Sequence, residues 1–231
     1  MAFETLKRMG KIEGARILGV GAGQEITIYE LAAAGAEEVI ASDIYLDHDS
    51  EWAHWWEGFL KDPMSACPAH LKTQVPRGSV LAIHADMTDL PFRSDSFDAV
   101  FSSGSIEHVG QPNTPDYGAI QKAATEIGRV LKPGGVATLS TEWKLKGDGW
   151  GWGHVRLFDE SNIYTHIIEP SGCTLIDEPN WVCDEPLTEY VVLKDLVEKR
   201  ASEKGFVILR EHDFFYTSVH LAMQKKPVGN L

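Results

Sequence analysis

Three glycines at alternate positions, Gly19, Gly21 and Gly23, follow the apolar run Ile17, Leu18 and Val20. About 20 residues further on, a second apolar stretch, Val39 and Ile40, ends on Asp43, the spacing of a nucleotide-type βαβ unit. Glycine lets the main chain turn sharply and pass close beneath a ligand, because no Cβ intervenes. A carboxylate at the end of the second strand can accept hydrogen bonds from ribose hydroxyls. An adenosine-bearing ligand suits this pair. The dinucleotide fingerprint G-x-G-x-x-G fails, because Gln24 or Ile26 stands where its third glycine belongs, and no Gly-Lys-Ser/Thr follows for a phosphate loop. On the glycines alone, a tight strand-to-helix turn without any ligand stays open.

The elements that must carry these residues follow from short apolar runs alternating with helical patterns, which predict one α/β domain with a mostly parallel sheet covered on both faces. Strands are expected at about 15–20, 38–43, 80–84, 97–102, 136–141 and 173–177, with helices near 25–35, 116–131, 159–170 and 188–204. Lys132-Pro133-Gly134-Gly135 should stop the second of these helices, and Asp159 is a possible N-cap of the third. The runs 206–209 and 215–223 close the chain, the latter alternating at period two as a half-buried strand near a sheet edge would. Segment 44–78 reads as a helix plus loops over the strand ends, and 143–158, rich in Gly and Trp, as an ordered loop, both being expected as substrate-side loops or lids.

Composition narrows the partners. The chain has 231 residues, 43% of them hydrophobic, enough for a sizeable core. A net charge of −13 without a Lys/Arg run argues against nucleic acid. Cys67, Cys173 and Cys183 are too few and scattered for a disulfide framework or a cysteine zinc site, so a reducing cytoplasm is expected. No segment reaches the apolar length of a membrane span, and the start has no signal-peptide core.

Four blocks together give the chain a resemblance. They are the glycine turn with Asp43; His84-Ala85-Asp86-Met87-Thr88-Asp89-Leu90-Pro91-Phe92 followed by Ser96-Phe97-Asp98; Phe101 to Val109, containing Ser105-Ile106-Glu107-His108; and Glu126 to Gly135. In this order the chain resembles the class I S-adenosylmethionine-dependent methyltransferases. More narrowly, it is similar to a bacterial methyltransferase type 11-like subgroup often found alongside glycosyltransferases. The resemblance implies a Rossmann-like doubly wound, seven-stranded, mostly parallel sheet with an antiparallel C-terminal strand. It also implies S-adenosylmethionine as cofactor and a small-molecule or glycan acceptor. Many relatives carry an acid where this chain has Gly19 and a glycine where it has Glu25. Glu25 reads as an outward-pointing acid favoured in a helix's first turn, the alternative being an inward one that holds the cofactor's ammonium.

On the resemblance, Gly19, Gly21 and Gly23 would lie beneath the methionine part and Asp43 at the ribose. Ile44 would touch the adenine, Asp86 its amino group and Met87 its ring, with Ser102 and Ser103 along the sulfonium and carboxylate. For Asp43 and Asp86 the alternative is a turn or cap acid. Methyl transfer needs alignment above all, and a base when the nucleophile is a hydroxyl. His108 is the first candidate because imidazole titrates near neutrality; otherwise it is a helix-start histidine. Glu107 and Glu142 are the other candidates, as base or substrate ligand. Some related quinone O-methyltransferases bind a divalent metal with such a Glu-His pair and an acid three residues earlier. Here that position is Gly104, so no metal is expected. Asp47, His48, Asp49, Glu51 and His54 match no fixed ligand spacing. His154 falls in a Gly/Trp segment of the kind that forms lids. The tryptophans at 52, 55, 56, 143, 150 and 152 are stacking or packing residues. A nicotinamide oxidoreductase and a non-catalytic S-adenosylmethionine-binding module are the competing functions.

Overall fold

Ile17, Leu18 and Val20 are completely buried, which places their run inside a sheet covered on both faces. The computed structural model describes residues 1–46, 53–111, 113–114, 116–184, 186–188, 190–192 and 208–227. The first half runs α1 (Ala2–Arg8), β1 (Arg16–Val20), α2 (Ile26–Ala33), β2 (Glu38–Asp43), α3 (Ala53–Lys61), β3 (Val80–His84) and β4 (Phe97–Ser103). Next come α4 (Tyr117–Val130), β5 (Leu131–Lys146), and the short pair β6 (Gly151–Trp152) and β7 (Val155–Arg156). A broken helix, α5 (Glu160–Ile163), a wide turn over Tyr164–Ile168 and α6 (Glu169–Ser171), leads to β8 (Cys173–Leu175), β9 (Tyr190–Val192), β10 (Ile208–Glu211) and β11 (Phe214–Lys225).

The sheet order is β3-β2-β1-β4-β5-β11-β10-β9, with β8 paired to β11. From β3 to β5 all neighbours are parallel. β11 is antiparallel to β5 and β10. The seven strands from β3 to β10 form the expected doubly wound body, and the three-residue β8 and β9 are added to it. The strand order reverses between β1 and β4, and ligands of open α/β sheets bind beyond the strand ends at that point.

Helix α4 explains the fourth sequence block. Ile120, Ala123, Ala124, Ile127 and Val130 are buried on one stripe, and the Asp116 carboxylate caps its start by accepting from the Ala119 N–H at 3.3 Å. Glu126 and Arg129 leave the core to clamp the loop before β4. Glu126 accepts from the Leu90 N–H at 2.8 Å, and Arg129 donates to the Phe92 and Leu90 carbonyls at 2.7 and 3.0 Å. Asp98 is architectural, accepting from the Arg16 N–H at 3.0 Å and pairing with Lys132 at 2.8 Å.

Several sequence expectations change. β5 is longer than 136–141, because pairing with β11 carries it on to Lys146 and pairing of Leu131 with Phe97 of β4 carries it back. β11 is an interior strand, flanked by β5 and β10, rather than an edge-region one. Residues 143–158 are the end of β5 plus the β6–β7 hairpin, not a loop. The helix near 188–204 meets strand β9 at 190–192, and residues 193–204 of that expectation lie outside the described ones. Among the described residues no helix is long and apolar enough to cross a membrane.

The closest backbone approach in the helical layer is at Gly128, where an added Cβ would sit 1.8 Å from the Ser171 carbonyl oxygen. Gly128→Ala should therefore cost about 1–3 kcal/mol or more, as overpacking does. Gly118→Ala, in the first turn of the same helix and in ordinary contact only, should be neutral or up to ~1 kcal/mol stabilising. Urea denaturation of both variants checks the contrast; equal effects would contradict the packing described.

Candidate functional site

The β1–α2 bend is fixed from three sides. Gly21 adopts φ +60°, and a Cβ there would meet Ser105 Cβ at 2.5 Å and Met87 Cε at 2.9 Å, so only glycine fits. The Ser105 hydroxyl donates to the Gly21 carbonyl at 2.7 Å. The Asp43 carboxylate accepts from the Gly23 N–H at 2.8 Å and from the Ile44 N–H at 2.7 Å. The Tyr45 hydroxyl donates to the Gly23 carbonyl at 2.7 Å. Gly23 itself, at φ +46°, has nothing within 4 Å of where a Cβ would stand. The bend is closed beneath and open above. Gly19 serves differently: it lies inside the sheet under the Phe101 ring, 2.5 Å from where its Cβ would be, so its missing side chain makes room for packing.

Around the open space stand Asp43, Glu25, Ser103, Ile44 and Met87. Burial holds Asp43 above the usual carboxylate range, opposed by the Gly23 and Ile44 N–H groups and by His84. Glu25 corrects the outward reading. It begins α2 with an extended backbone, and its carboxyl turns toward Ser103. Burial pushes it up to about 7, with the Ser103 hydroxyl pulling down and Asp43 pushing up. Ile44 remains 38% exposed at the rim, an apolar surface available to a ligand. Asp86 is exposed and its carboxylate accepts from the Thr88 N–H at 2.8 Å, so it also serves as a turn acid. Met87 packs half-buried against the core. Ser102 is buried, its hydroxyl without a hydrogen-bond partner.

A second group lies past the β4 and β5 ends. Glu107 is 1% exposed and accepts from the Thr141 hydroxyl at 3.1 Å. Burial first, then nearby Glu142, push its carboxyl up to about 8. Burial also pushes Glu142 up to about 7, and its Oε2 is buried without a partner. At pH 7 Glu107 is mostly protonated and Glu142 about half so, which lets the pair both donate and accept hydrogen bonds. His108 is accessible but hemmed in. Its crowded surroundings, then His154 and Arg156, lower its pKa from 6.5, so the imidazole is neutral with a lone pair at pH 7. Among the described residues no group of three His, Cys, Asp or Glu could hold a metal ion.

Arg156 is the residue that sequence reasoning missed. It is fully buried, donates to the carbonyls of His154 at 2.9 Å, Thr114 at 3.1 Å and Gln111, and lies 5.7 Å over the Trp150 ring. It thereby ties the β6–β7 hairpin to the loop after Glu107 and His108. Its only sequence signal was a lone basic residue amid aromatics. The tryptophans do not form one platform: Trp143 packs edge-on to Trp181, Trp152 stacks on Phe214, and Trp56 meets Tyr45 edge-on. Trp52, the side chain of Trp55 and the polar set from Asp47 to His54 lie outside the described residues.

These surroundings fit a nucleoside with an aminoacyl tail. The space above Gly23 is one that any side chain would fill, an acid stands on either side of it, and an apolar rim adjoins Asp43.

Residues 59–139 match the family described as Methyltransferase domain. A demethylmenaquinone methyltransferase of Clavibacter sepedonicus is 34% identical over 131 residues, 57% of this chain and 42% of that protein. The chain thus spans less than half the length of that curated relative. Among solved structures, the [4+2]-cyclase SpnF has a TM-score of 0.61 at 19% identity, covering 99% of this chain and 80% of its own. A SAM-dependent methyltransferase from Methanosarcina mazei has a TM-score of 0.57 at 16% identity, with 94% of each chain covered. Matched residues, sequence blocks and strand order together make this chain similar to the class I S-adenosylmethionine-dependent methyltransferases.

Proposed function

We propose that this chain transfers a methyl group from S-adenosylmethionine to a hydroxyl of a small molecule or glycan intermediate. One observation carries the reading: an open cradle over Gly23, walled by Asp43 and Glu25, adjoins a second set of ionisable side chains past the β4 and β5 ends. When bound, the cofactor supplies a methyl group on a sulfonium whose departure leaves a neutral thioether, so no acid is needed on that side. Gly21 and Gly23 keep the floor of the cradle free of side chains. Asp43, held by two N–H groups, keeps further lone pairs for the ribose hydroxyls. Ile44 and Met87 offer apolar surface to the adenine and Asp86 a carboxylate to its amino group, while Ser102 and Ser103 are the candidates along the sulfonium and carboxylate.

His108 takes the base role. It is accessible and neutral at pH 7, able to accept the acceptor hydroxyl's proton as the new C–O bond forms. Glu107, mostly protonated, and Glu142, about half so, orient the acceptor by hydrogen bonding. The Trp143 and β6–β7 region supplies the surrounding wall. The relative's name, a demethylmenaquinone methyltransferase, supports a small-molecule acceptor.

Calorimetric titration with S-adenosylmethionine, S-adenosylhomocysteine and NAD tests the reading: the two sulfur nucleosides should bind and NAD should not. Asp43→Asn should weaken S-adenosylhomocysteine about 10–100-fold, the worth of a hydrogen bond to a charged group; unchanged affinity would move the ribose elsewhere. With an acceptor found by screening phenols, quinols and nucleotide-linked sugars, kcat/KM should rise with pH and level off once the base has lost its proton. For His108 that limb lies below 6.5, and His108→Ala should cost about 10²–10⁴-fold in kcat. A limb between about 7 and 8 that Glu107→Gln abolishes would give the base role to the carboxyl pair instead.

A further inference from the structure

Strand β1 has no space for an acid at its end, because the Phe101 ring fills the place a side chain on Gly19 would need. The second carboxyl of this cleft arrives from the other side of the bend. Glu25 starts α2 with φ −62° and ψ 144°, which carries its side chain off the helix path, and its carboxyl lies against Ser103 at the end of β4. Between Glu25 and Asp43 is Gly23, open above. Two half-buried acids therefore flank one space, each raising the cost of the other's charge. Among the described residues His84 stands on the Asp43 side and pulls that carboxyl down.

A ligand that brings a cation opposite Glu25 and uncharged hydroxyls opposite Asp43 relieves this arrangement. A ligand that brings phosphates worsens it. We infer that Glu25 selects the ligand by charge, pairing with the α-ammonium of the cofactor's aminoacyl end while Asp43 takes the sugar, so that phosphate-bearing nucleotides are rejected. The inference deepens the cofactor assignment above and rests on it. Ser103 orients the carboxyl from β4. The groups that face Glu25 are Asp43 from β2, the Tyr45 phenol from the turn after β2 and the Ser103 hydroxyl, with His84 of β3 behind Asp43.

The sign of the pH effect follows. In the empty cleft Glu25 is protonated until about pH 7, and an ammonium beside it favours the carboxylate, so binding releases a proton. Affinity for an aminoacyl ligand should rise with pH up to about 7 and then level.

The test compares two probes, S-adenosylhomocysteine and 5′-methylthioadenosine, which keeps the nucleoside and thioether but lacks the aminoacyl end. Both are titrated calorimetrically into wild type and Glu25→Gln from about pH 6 to about pH 8. Glu25→Gln should weaken S-adenosylhomocysteine by about 10-fold or more and flatten its pH dependence, while methylthioadenosine stays within about twofold. Retained methylthioadenosine binding also reports an intact fold. Unchanged S-adenosylhomocysteine affinity in the variant, or an equal loss of both probes, would overturn the role of Glu25 and leave the cofactor assignment standing. Wild type that binds neither probe would overturn both.

Discussion

The bend between β1 and α2 keeps its shape because its polar backbone groups are satisfied by side chains that arrive from other elements. Ser42 donates to the Gly19 carbonyl, Asp43 accepts from the Gly23 N–H, Tyr45 donates to the Gly23 carbonyl and Ser105 donates to the Gly21 carbonyl. A buried backbone group left unpaired costs about as much as a lost hydrogen bond, so each of these contacts holds the turn in place. Ser105 also shapes the turn, because its side chain fills the space a Cβ on Gly21 would need. All of this bracing lies below or beside the turn. The upper side is consequently free, rigid and bare, which is what a ligand-bearing loop requires.

Charge organises the rest of the site. The chain is strongly acidic overall, at −13, yet three of its carboxyls, Glu25, Glu107 and Glu142, sit where burial keeps them neutral toward pH 7 or 8. Surface acids elsewhere, such as Asp98 with Lys132, have partners and stay ionised. A folded protein retains desolvated acids at a cost in stability, and such groups cluster where a ligand or a proton is handled. The three lie on two sides of the β4 end: Glu25 near Ser103, Glu107 and Glu142 near Thr141. The β4 end thus separates the acid beside Gly23 from the pair of acids near Thr141.

The fold alone would not have distinguished these tasks. A chain of this architecture is called a [4+2]-cyclase and others are called methyltransferases, as expected when function resides in side chains placed on a common frame. In this chain the β6–β7 hairpin lies beside the second group of acids. Arg156, buried and bound to three carbonyls, joins the β6–β7 hairpin to the loop after β4, and Trp152 packs that hairpin onto Phe214 and Tyr216 of β11. The hairpin and His108 are therefore one packed unit.

Much of the frame was legible in the residues themselves. β1, β2, β3 and α4 lie within a residue or two of their sequence-predicted bounds, because local hydrophobic period and turn chemistry suffice for short, covered strands and for a capped amphipathic helix. The glycine turn with Asp43 was legible for the same reason, being a local constraint on backbone torsion. The interior placement of β11, the extension of β5 and the strand at 190–192 were not, since pairing between distant segments leaves no local mark and overrides propensity. Nor could the residues in order say which way Glu25 points, that Glu107 is sealed from solvent, or that Arg156 would be buried against three backbone carbonyls. Those outcomes depend on what lies across the cleft, and only the packed sheet brings Ser103, Thr141 and the β6–β7 hairpin to meet them.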